Sequence, residues 1–360
     1  MNGERIDRIM ASLEGIGVEQ VLLSDPYNVC YITGDMQHPW ERFLGLFLRK
    51  GSAPKLILNN LFTSPSVEDG DIIRYDDSER GALKVLDLAD RTRPMGIDKQ
   101  LAAEFLLELQ ENGAASSYVN ASPCVDRVRM VKDAEEIRRM VYASQLNDEA
   151  MSRIKAEIRG GVTERQLEEK LVAIYKDLGA DGVSFSPIVS FGANAADPHH
   201  SPDGTALREG DCVLFDIGCV KDGYCSDMTR TFYYGFAGER DREIYAVAER
   251  ANRSAEAMIK PGVRFCDIDA VARGIITDAG YGPNFTHRLG HCIGTQCHEW
   301  GDVGRSNTDA VKPGMIFSCE PGIYIAGESG VRIEDLCLVT EDGVEILNSF
   351  PKELEVIESR

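Results

Sequence analysis

Residues 213–234 read VLFDIGCVKDGYCSDMTRTFYY, and this stretch predicts a β-hairpin. Its two halves are strand-like runs, and the dipeptide Asp222-Gly223 separates them. Aspartate followed by glycine is a strong signal for a short hairpin turn. The two strand-like runs each carry one carboxylate, Asp216 in the first and Asp227 in the second.

The turn determines how these two carboxylates face each other. If Asp222-Gly223 is a two-residue turn, Gly218 lies opposite Asp227, and Asp216 points to the same face because side chains alternate along a strand. The aspartates are then diagonal neighbours, roughly 7–8 Å apart at the backbone, and their side chains can converge on ions. The plainer interpretation is a pair of solvent-facing carboxylates. Aspartate is disfavoured in strands and both have apolar neighbours, which favours ion binding.

Three further segments add acidic and imidazole side chains. They are GHCIG with His291, CEPGIY with Glu320 and VRIED with Glu334. With Asp216 and Asp227 they make four carboxylates and one imidazole. Oxygen ligands suit Mn²⁺ or Mg²⁺, and an imidazole also admits Co²⁺, Fe²⁺ or Zn²⁺. Because carboxylates can bridge, five side chains can hold two ions and one hydrolytic water, so the sequence predicts a two-metal site.

The histidines are concentrated in the same region. Of the six in the chain, five lie in one stretch: His199, His200, His287, His291 and His298. A lone histidine is usually a satisfied core residue, but five interleaved with metal-type carboxylates favour a functional site. The segment FTHRLGHCIGTQCHEW has neither a C-x-x-C nor an H-E-x-x-H pattern. A structural zinc site is therefore not predicted, although Cys292 and Cys297 lie close by.

These segments resemble the metallopeptidase family M24, the pita-bread-fold enzymes that include methionine aminopeptidase, Xaa-Pro aminopeptidase and prolidase (Xaa-Pro dipeptidase). The resemblance covers essentially the whole chain and is closest to the two-domain Xaa-Pro branch. It implies an α+β protein. A pita-bread (creatinase/aminopeptidase-like) catalytic domain would occupy residues 126–360, after a smaller α/β creatinase-like N-terminal domain over residues 1–125. Helices are predicted in the larger domain over residues 133–159, 163–178, 239–259 and 264–279.

The resemblance assigns roles to the five ligand-type residues. Asp216 would bind one ion, His291 and Glu320 would bind the other, and Asp227 and Glu334 would bridge the two. The implied cofactor is two divalent metal ions per subunit. Mn²⁺ or Co²⁺ is favoured, and Fe²⁺ or Zn²⁺ is also compatible with the ligands.

The resemblance also implies a mechanism with non-ligand active-site histidines, which His199 and His298 match. Water between the two ions would lose its proton near neutral pH and act as a metal-bridging hydroxide. Glu320 would take that proton and pass it to the leaving amine. His199 and His298 would donate hydrogen bonds to the substrate carbonyl. His287 matches a further family histidine, and His200 is expected on the surface or behind the site.

Three neighbours of the ligands are predicted to fix the ligand geometry. Arg332 and Asp335 flank Glu334, and Thr229 lies two residues after Asp227. Such outer partners orient metal ligands through hydrogen bonds.

The implied reaction is hydrolysis of the Xaa-Pro bond at the amino terminus of short peptides, by an Xaa-Pro aminopeptidase or an Xaa-Pro dipeptidase. A dipeptidase needs a cation for the substrate carboxylate, usually arginine. Some prolidases carry that arginine just after the H-E-W step. This chain reads HEWGDVGR there, with Asp302 at the expected position and Arg305 three residues later. The choice between the two activities stays open, and tripeptides are expected to be cleaved at least comparably to dipeptides.

One loop of the first domain, within YITGDMQHPWERF, is a candidate for substrate contact through Asp35, His38 and Trp40. In related dimeric enzymes the corresponding loop reaches the partner's active site, so the resemblance implies a homodimer. An ordinary turn with a packed tryptophan is an equally good interpretation of the residues.

Composition limits the partners. The formal net charge is −20, which argues against nucleic acid or anionic membranes, and the hydrophobic fraction of 43% supports a globular core. No apolar run approaches the roughly 20 residues of a membrane span. The amino terminus shows no signal-peptide core, and the ten cysteines are scattered, which favours reduced thiols in a cytoplasmic protein.

Two alternatives to a peptidase remain. One is a metal-dependent hydrolase or lyase of the same fold that acts on a small amide or compatible solute. The other is a non-catalytic binding protein on the same scaffold, which the complete ligand set argues against.

Overall fold

The computed structural model describes residues 1–359, and the chain divides into two compact units, Met1–Arg129 and Met130–Arg360. Each unit has its own buried apolar clusters. Each is therefore described by itself.

The first unit is an α/β domain built around one mixed sheet. Its helices are α1 (Gly3–Glu14), α2 (Pro26–Thr33), α3 (Ala103–Glu111) and α4 (Ser122–Met130). Its strands are β1 (Gln20–Leu23), β2 (Gly45–Arg49), β3 (Lys55–Asn59), β4 (Ile72–Tyr75), β5 (Pro94–Ile97) and β6 (Ser117–Asn120). The strand order is β4-β3-β2-β1-β5-β6, with β2 antiparallel to both neighbours and the other pairs parallel.

Apolar side chains cover both faces of this sheet. Val21 and Leu22 alternate along β1 and belong to different clusters, which pack against Leu13 of α1 and Leu109 of α3 respectively. The α/β character predicted for this domain is confirmed.

The second unit contains the four helices that the sequence predicts. They are α5 (Ala134–Lys155), α6 (Glu164–Asp177), α7 (Glu239–Met258) and α8 (Phe265–Asp278). Helix α6 begins with a capping box in which the side chains of Thr163 and Gln166 satisfy each other's backbone N–H groups.

The strands of the second unit are short and form several small sheets. They are β7 (Gly182–Val183), β8 (Ile188–Phe191), β9 (Cys212–Ile217), β10 (Cys219–Lys221), β11 (Tyr224–Cys225), β12 (Met228–Tyr234), β13 (Gly290–His291), β14 (Asp302–Val303), β15 (Ile316–Cys319), β16 (Gly322–Ile325), β17 (Ser329–Arg332), β18 (Asp335–Val339), β19 (Val344–Ile346) and β20 (Val356–Ile357). The main sheets run β20-β12-β9-β8 and β15-β18-β19, and β16 pairs with β17.

The central strands separate two apolar cores. Phe215 of β9 packs with residues of α5 and α6, whereas its neighbour Leu214 packs with residues of α7 and α8. Asp216 shares the face of Leu214, because alternate residues of a strand point the same way. The candidate site therefore lies on the α7 and α8 side of the sheet.

The predicted hairpin register is confirmed. Lys221 pairs with Tyr224 across the turn, and Asp222 and Gly223 have φ angles of 50° and 78°, the positive values that a type I′ turn requires. On the other side, Asp216 pairs with Thr229 in the same register.

Candidate metal centre

Asp216 and Asp227 lie on one face of the hairpin and are both buried. Asp216 Oδ2 accepts a hydrogen bond from Arg332 Nη2 (2.6 Å), and Asp227 Oδ2 lies 3.4 Å from Cys297 Sγ. The other carboxylate oxygen of each aspartate is buried and has no hydrogen-bond partner among residues 1–359. A buried oxygen without a donor is costly unless another group, such as a cation, satisfies it.

His291 approaches these carboxylates from β13. Its Nε2 lies 3.6 Å from Asp227 Oδ2 and 3.5 Å from Glu320 Oε1, which is too far for a strong hydrogen bond. Burial lowers the pKa of the imidazole to about 3, so the ring is neutral at pH 7. Nδ1 lies 3.2 Å from the Cys292 carbonyl oxygen, which favours a proton on Nδ1 and leaves the Nε2 lone pair facing the carboxylates.

Two hydrogen bonds of Ser318 link Glu320 to His291. The Ser318 hydroxyl accepts a hydrogen bond from the His291 backbone N–H (3.1 Å) and donates to Glu320 Oε1 (3.1 Å). Ser318 lies in β15 and was not singled out from the sequence, because a serine inside a strand carries no motif. It fixes the relative position of two candidate ligands that are far apart in the chain.

Glu334 completes the cluster from the turn between β17 and β18. Asp227, His291 and Glu334 each offer a ligand atom within 4.8 Å of the others. Thr229 was predicted to support Asp227, and this was wrong: its hydroxyl donates to Glu334 Oε2 (2.6 Å). The reason is that the Glu334 backbone N–H bonds to the Thr229 carbonyl oxygen (3.1 Å), which brings the two residues side by side.

Asp335 supports Glu334 only indirectly. Asp335 Oδ1 accepts a hydrogen bond from Arg230 Nη2 (2.7 Å), and Arg230 Nη1 donates to the Glu334 backbone oxygen (2.6 Å). Arg230 is fully buried and fixes the backbone of the turn. Sequence reasoning missed it because an arginine in a strand is usually exposed.

The electrostatics of the cluster fit divalent cations. Burial raises the pKa of Glu320 to about 7 and raises the pKa values of Asp227 and Glu334 well above their ordinary range, with neighbouring carboxylates adding to the effect. Without cations the cluster therefore retains protons at neutral pH. The buried guanidinium of Arg332 cannot balance four carboxylates, whereas divalent ions can.

A cavity of about 660 Å³ adjoins this cluster, a volume suited to a small ligand. Among the residues predicted from the sequence, it is lined by Asp216, Asp227, His291, Glu320, Glu334, His199, His287, His298 and Arg332. Phe185, Pro187 and Ile188 add an apolar wall. The structure thus brings the nine residues into one cavity.

His287 belongs to a buried chain of hydrogen bonds behind the cavity. Its Nε2 is bonded to the Tyr324 hydroxyl (2.8 Å), which in turn accepts from Arg332 Nη1 (2.9 Å). Burial lowers the pKa of His287 to about 3, so its ring is neutral at pH 7. Because Arg332 also donates a hydrogen bond to Asp216, this series of hydrogen bonds links His287 to a candidate metal ligand. Tyr324 lies in the quoted CEPGIY segment, but its role was not predicted.

His199 and His298 are the more exposed histidines of the cavity. The rings of His298 and His291 meet edge to face with centroids 4.2 Å apart. His200 also lines the cavity, and its Nε2 lies 2.7 Å from Oε2 of the buried Glu164. Glu164 also accepts from the Asp203 backbone N–H (3.1 Å), so this carboxylate fastens the loop that carries His199.

The cations of the cavity wall are Arg288 and Arg332, within the part of the chain that the structure describes. Arg288 is partly exposed and forms an ion pair with Asp302 through Nη1. Arg305, the arginine considered for substrate binding, lines a separate surface depression with Cys266 and does not line the cavity. Arg288 lies in the segment FTHRLGHCIGTQCHEW, of which only the histidines were predicted to be site residues.

The candidate loop of the first unit, with Asp35, His38 and Trp40, has one side chain held by hydrogen bonds and two exposed side chains. Asp35 accepts hydrogen bonds from the hydroxyls of Ser64 (2.8 Å) and Ser66 (2.9 Å). Trp40 is 77% exposed and has a positive φ of 52°, and His38 is also exposed. Asp35 is thus occupied within its own domain, whereas His38 and Trp40 present surface side chains.

Comparison with known proteins defines the class of protein to which this fold and site belong. Residues 138–341 match the model of metallopeptidase family M24, and residues 5–131 match the creatinase/prolidase N-terminal domain. The chain therefore belongs to metallopeptidase family M24, with the pita-bread catalytic domain and the creatinase-like domain that the sequence predicts. The prediction of a metallo-exopeptidase is confirmed, and the fold implies divalent metal ions.

Three proteins illustrate the similarity. The chain is 36% identical over 353 residues to an uncharacterized peptidase of Staphylococcus saprophyticus, which covers 97% of this chain and 100% of the relative. A prolidase from Thermococcus sibiricus superposes with a TM-score of 0.92 at 32% identity, covering 99% and 100% of the two chains. An Xaa-Pro dipeptidase from Bacillus anthracis gives 0.91 at 28% identity, covering 98% and 99%.

Proposed function

We propose that the protein is a dinuclear metal-dependent exopeptidase that hydrolyses the Xaa-Pro bond at the amino terminus of short peptides. The observation that carries the proposal is the convergence of Asp216, Asp227, His291, Glu320 and Glu334 in one cavity. The similarity to a prolidase and to an Xaa-Pro dipeptidase supports the substrate class.

The five side chains divide into two groups around a shared pair. Asp216 would hold one ion, His291 and Glu320 the other, and Asp227 and Glu334 both. The unpartnered oxygens of Asp216 and Asp227 support ion binding by these two residues. Ions held there would acidify a water molecule and polarise the scissile carbonyl. The mainly oxygen donor set favours Mn²⁺ or Co²⁺.

Glu320 is the residue that we assign to proton transfer. Its carboxylate lines the cavity beside the other candidate ligands, where it can accept a proton from a water held there and release it to a leaving group. Ser318 engages Oε1, so Oε2 is available for the exchange. The proton would pass from the attacking water to the leaving amine.

His298 and His199 are assigned to the substrate carbonyl. Both line the cavity from loops beside the carboxylate cluster, and an imidazole N–H can donate to an oxygen on which negative charge develops. Phe185, Pro187 and Ile188 form an apolar wall that can receive a proline ring, which has no amide N–H to bond. Shape would therefore select proline.

Arg288 is the residue that we expect to influence which peptide lengths the site accepts. Its guanidinium lines the cavity and is shared with Asp302, so its positive charge is partly neutralised. An arginine in this state can receive a peptide carboxylate without making it obligatory. This supports activity on both Xaa-Pro dipeptides and longer Xaa-Pro peptides.

The test is a kinetic comparison with metal-reconstituted protein. Protein loaded with Mn²⁺ or Co²⁺ should cleave Ala-Pro and Ala-Pro-Ala at comparable rates and Ala-Ala much more slowly. A small cyclic amide of the compatible-solute type serves as the non-peptide arm. Turnover of that amide with no turnover of any Ala-Pro peptide would overturn the proposal. Strict hydrolysis of the dipeptide would limit it to a dipeptidase.

We further propose a cytoplasmic homodimer in which the loop with Asp35, His38 and Trp40 contributes to substrate selection. The exposed side chains of His38 and Trp40 support a role for the loop surface. No helix within residues 1–359 combines the length and apolarity needed to cross a bilayer. Sedimentation analysis tests the dimer. Replacing His38 and Trp40 with serine should change the preferred peptide length while leaving the metal content intact.

A further inference from the structure

Glu164 is a fully buried carboxylate that joins two separate segments of the chain. It is the first residue of α6. Its Oε1 accepts hydrogen bonds from the Phe191 backbone N–H (2.8 Å) and from Asn194 Nδ2 (3.0 Å), at the end of β8 and just after it. Its Oε2 lies 2.7 Å from His200 Nε2 and accepts from the Asp203 backbone N–H (3.1 Å). One side chain therefore holds both ends of the segment that runs between Asn194 and His200.

The segment between these contacts presents His199 to the cavity. Residues 198–202 all line the cavity wall. The His199 backbone N–H donates to Asp197 Oδ1 (3.0 Å), and the His200 backbone N–H donates to the Asp197 carbonyl oxygen (3.2 Å), which closes a turn. The ring of His199 has no hydrogen-bond partner among residues 1–359. Its position therefore depends on the backbone of the turn, and hence on what holds the two ends of that turn.

The hydrogen bonds of this cluster favour a positioning role over a second metal site. Glu164, His200 and Asp203 each offer a ligand-type atom within 4.8 Å of the other two. However, each oxygen of Glu164 already has two hydrogen-bonding partners, which uses the roughly four acceptor positions of a carboxylate. Asp203 Oδ1 also accepts from the Thr205 backbone N–H (2.6 Å). A buried network that is satisfied in this way holds its members rigidly.

We propose that Glu164 is a positioning residue for His199 and acts on it through His200 and Asp203. The inference rests on the proposed function, in which His199 donates to the substrate carbonyl. A small displacement of such a donor weakens a hydrogen bond that stabilises the transition state. Loss of the Glu164 contacts should therefore lower kcat, with little change in KM or in metal binding.

The test is a double-mutant cycle on kcat, with full-length, Mn²⁺-loaded protein and Ala-Pro as the substrate. In Glu164→Gln the amide NH₂ faces the backbone N–H of either Phe191 or Asp203, so one end of the segment is released in either orientation. This variant should lower kcat by about 10–100-fold, the upper value being the cost of a displacement of about 1 Å. In a His199→Ala background the same change should cost less than about twofold, because the residue that it positions is absent. Losses that multiply in the double variant would overturn the proposal.

A second pair of variants tests the connection through His200. His200→Ala removes the side-chain contact with Glu164 and should lower kcat. His200→Gln, whose amide can donate to the same oxygen, should recover most of the loss, and equal losses in the two variants would contradict this connection. Glu169→Gln is the matched control, because it alters an exposed carboxylate of the same helix and should leave kcat unchanged.

Hydrogen exchange of the metal-free protein provides a readout that needs no turnover. The Asp203 N–H donates to Glu164, so residues 197–205 should exchange faster in Glu164→Gln than in the wild type. The strands β9 and β12 should keep the wild-type rate. Unchanged exchange in residues 197–205 would overturn the proposal. Faster exchange in β9 and β12 as well would indicate general destabilisation and also overturn it.

The outcomes separate this inference from the proposed function. If the wild type cleaves Ala-Pro and the losses of Glu164→Gln and His199→Ala multiply, the positioning role fails and the peptidase assignment stands. Loss of Mn²⁺ affinity in Glu164→Gln, measured by isothermal titration calorimetry, would likewise overturn only the positioning role. If the wild type cleaves no Xaa-Pro peptide, both proposals fail.

Discussion

Arg332 is the side chain through which the candidate ligands are connected to the protein behind them. Its guanidinium donates to Asp216, Thr229 and Tyr324 from three different nitrogens. The neighbouring tyrosine and carboxylates raise the pKa of this arginine despite its burial, so it remains charged. A fixed charge with three directed donors positions several groups at once, which a flexible point charge cannot do.

The first prediction concerns that geometry. Arg332→Lys keeps the positive charge but loses the planar fork, so Asp216 and Thr229 lose their fixed partner. The affinity for Mn²⁺ should fall by about 10–100-fold, the usual cost of losing an outer partner of a metal site. Isothermal titration calorimetry measures this. Arg305→Lys, an exposed substitution outside the cavity, should leave the affinity unchanged.

The second prediction separates ligands from substrate-binding residues. His298→Ala and His199→Ala should retain both ions but reduce kcat by about 10²-fold or more, because each removes a donor that acts in the transition state. Metal content and steady-state kinetics are measured on the same samples. Normal kinetics in His298→Ala, or loss of metal in either variant, would contradict the assigned roles.

The third prediction concerns pH. The pKa of Glu320, about 7 in the folded metal-free protein, lies above its ordinary value of 4.5, so the folded state keeps a proton that the unfolded chain has lost. Stability contributed by this group is therefore present below pH 4.5 and is lost as the pH rises to about 7. Relative to Glu320→Gln, which cannot ionise, metal-free wild type should lose roughly 3 kcal/mol of unfolding free energy over this window.

Urea denaturation of the two proteins in chelator, at several pH values, measures that difference. Comparing wild type with Glu320→Gln cancels the opposite contribution of His287 and His291, whose lowered pKa values add stability as the pH rises from about 3 to 6.5. A difference that is flat with pH would show that Glu320 is ionised without metal.

At the scale of secondary structure, the site depends on backbones that approach each other closely. Gly290 precedes His291 in β13 and faces β15. A Cβ atom at position 290 would lie only 1.9 Å from the Ser318 carbonyl oxygen, so no other residue fits without moving a strand. This contact explains why glycine precedes the candidate ligand.

The fourth prediction follows from that contact. Gly290→Ala should displace β13, destabilise the protein by about 1–3 kcal/mol and weaken metal binding, because His291 moves with its strand. Thermal unfolding and metal titration measure the two effects. Gly274→Ala is the control: its Cβ would meet nothing within 4 Å, and replacing a helical glycine should stabilise α8 by about 0.5–1 kcal/mol.

Secondary-structure elements that are specified by a few neighbouring residues were predictable from the sequence. The hairpin register followed from Asp222-Gly223, since turn chemistry acts over neighbouring residues. Contacts between distant strands were not predictable in this way. Thr229 bonds to Glu334 rather than supporting Asp227, because the crossing of β12 and the β17–β18 turn is set by packing.

At the scale of the whole molecule, the motifs were sufficient to predict the family and the fold class. Five short segments in order carry the resemblance, and they lie together in one cavity. Arg288 was not predicted because a cavity-lining cation has no sequence pattern of its own, and the substrate-binding arginine was expected in the stretch after His298. The charged side chains that face the substrate are determined by the tertiary fold, so the cations of the cavity wall can be identified only from a structure.

The fifth prediction concerns global stability. Since the metal ions would bind only the folded chain, each Mn²⁺ ion, at about 100 times the Kd of its site, should stabilise the protein by about 2.7 kcal/mol. Scanning calorimetry with Mn²⁺ and with chelator measures the shift in Tm. Asp227→Asn should abolish the shift, whereas Asp342→Asn, which alters an exposed carboxylate outside the cavity, should preserve it. An equal shift in both variants would exclude Asp227 from the site.

The spacing of the ligand segments along the chain has a consequence for biosynthesis. Asp216 leaves the ribosome before Glu334 by more than a hundred residues, which takes on the order of ten seconds at common elongation rates. Until β17 and β18 are made, the hairpin lacks the glutamate that would share its ions. Under the proposed assignment, the full set of five ligands therefore exists only after Glu334 has been synthesised, so both ions are expected to bind after this segment has folded.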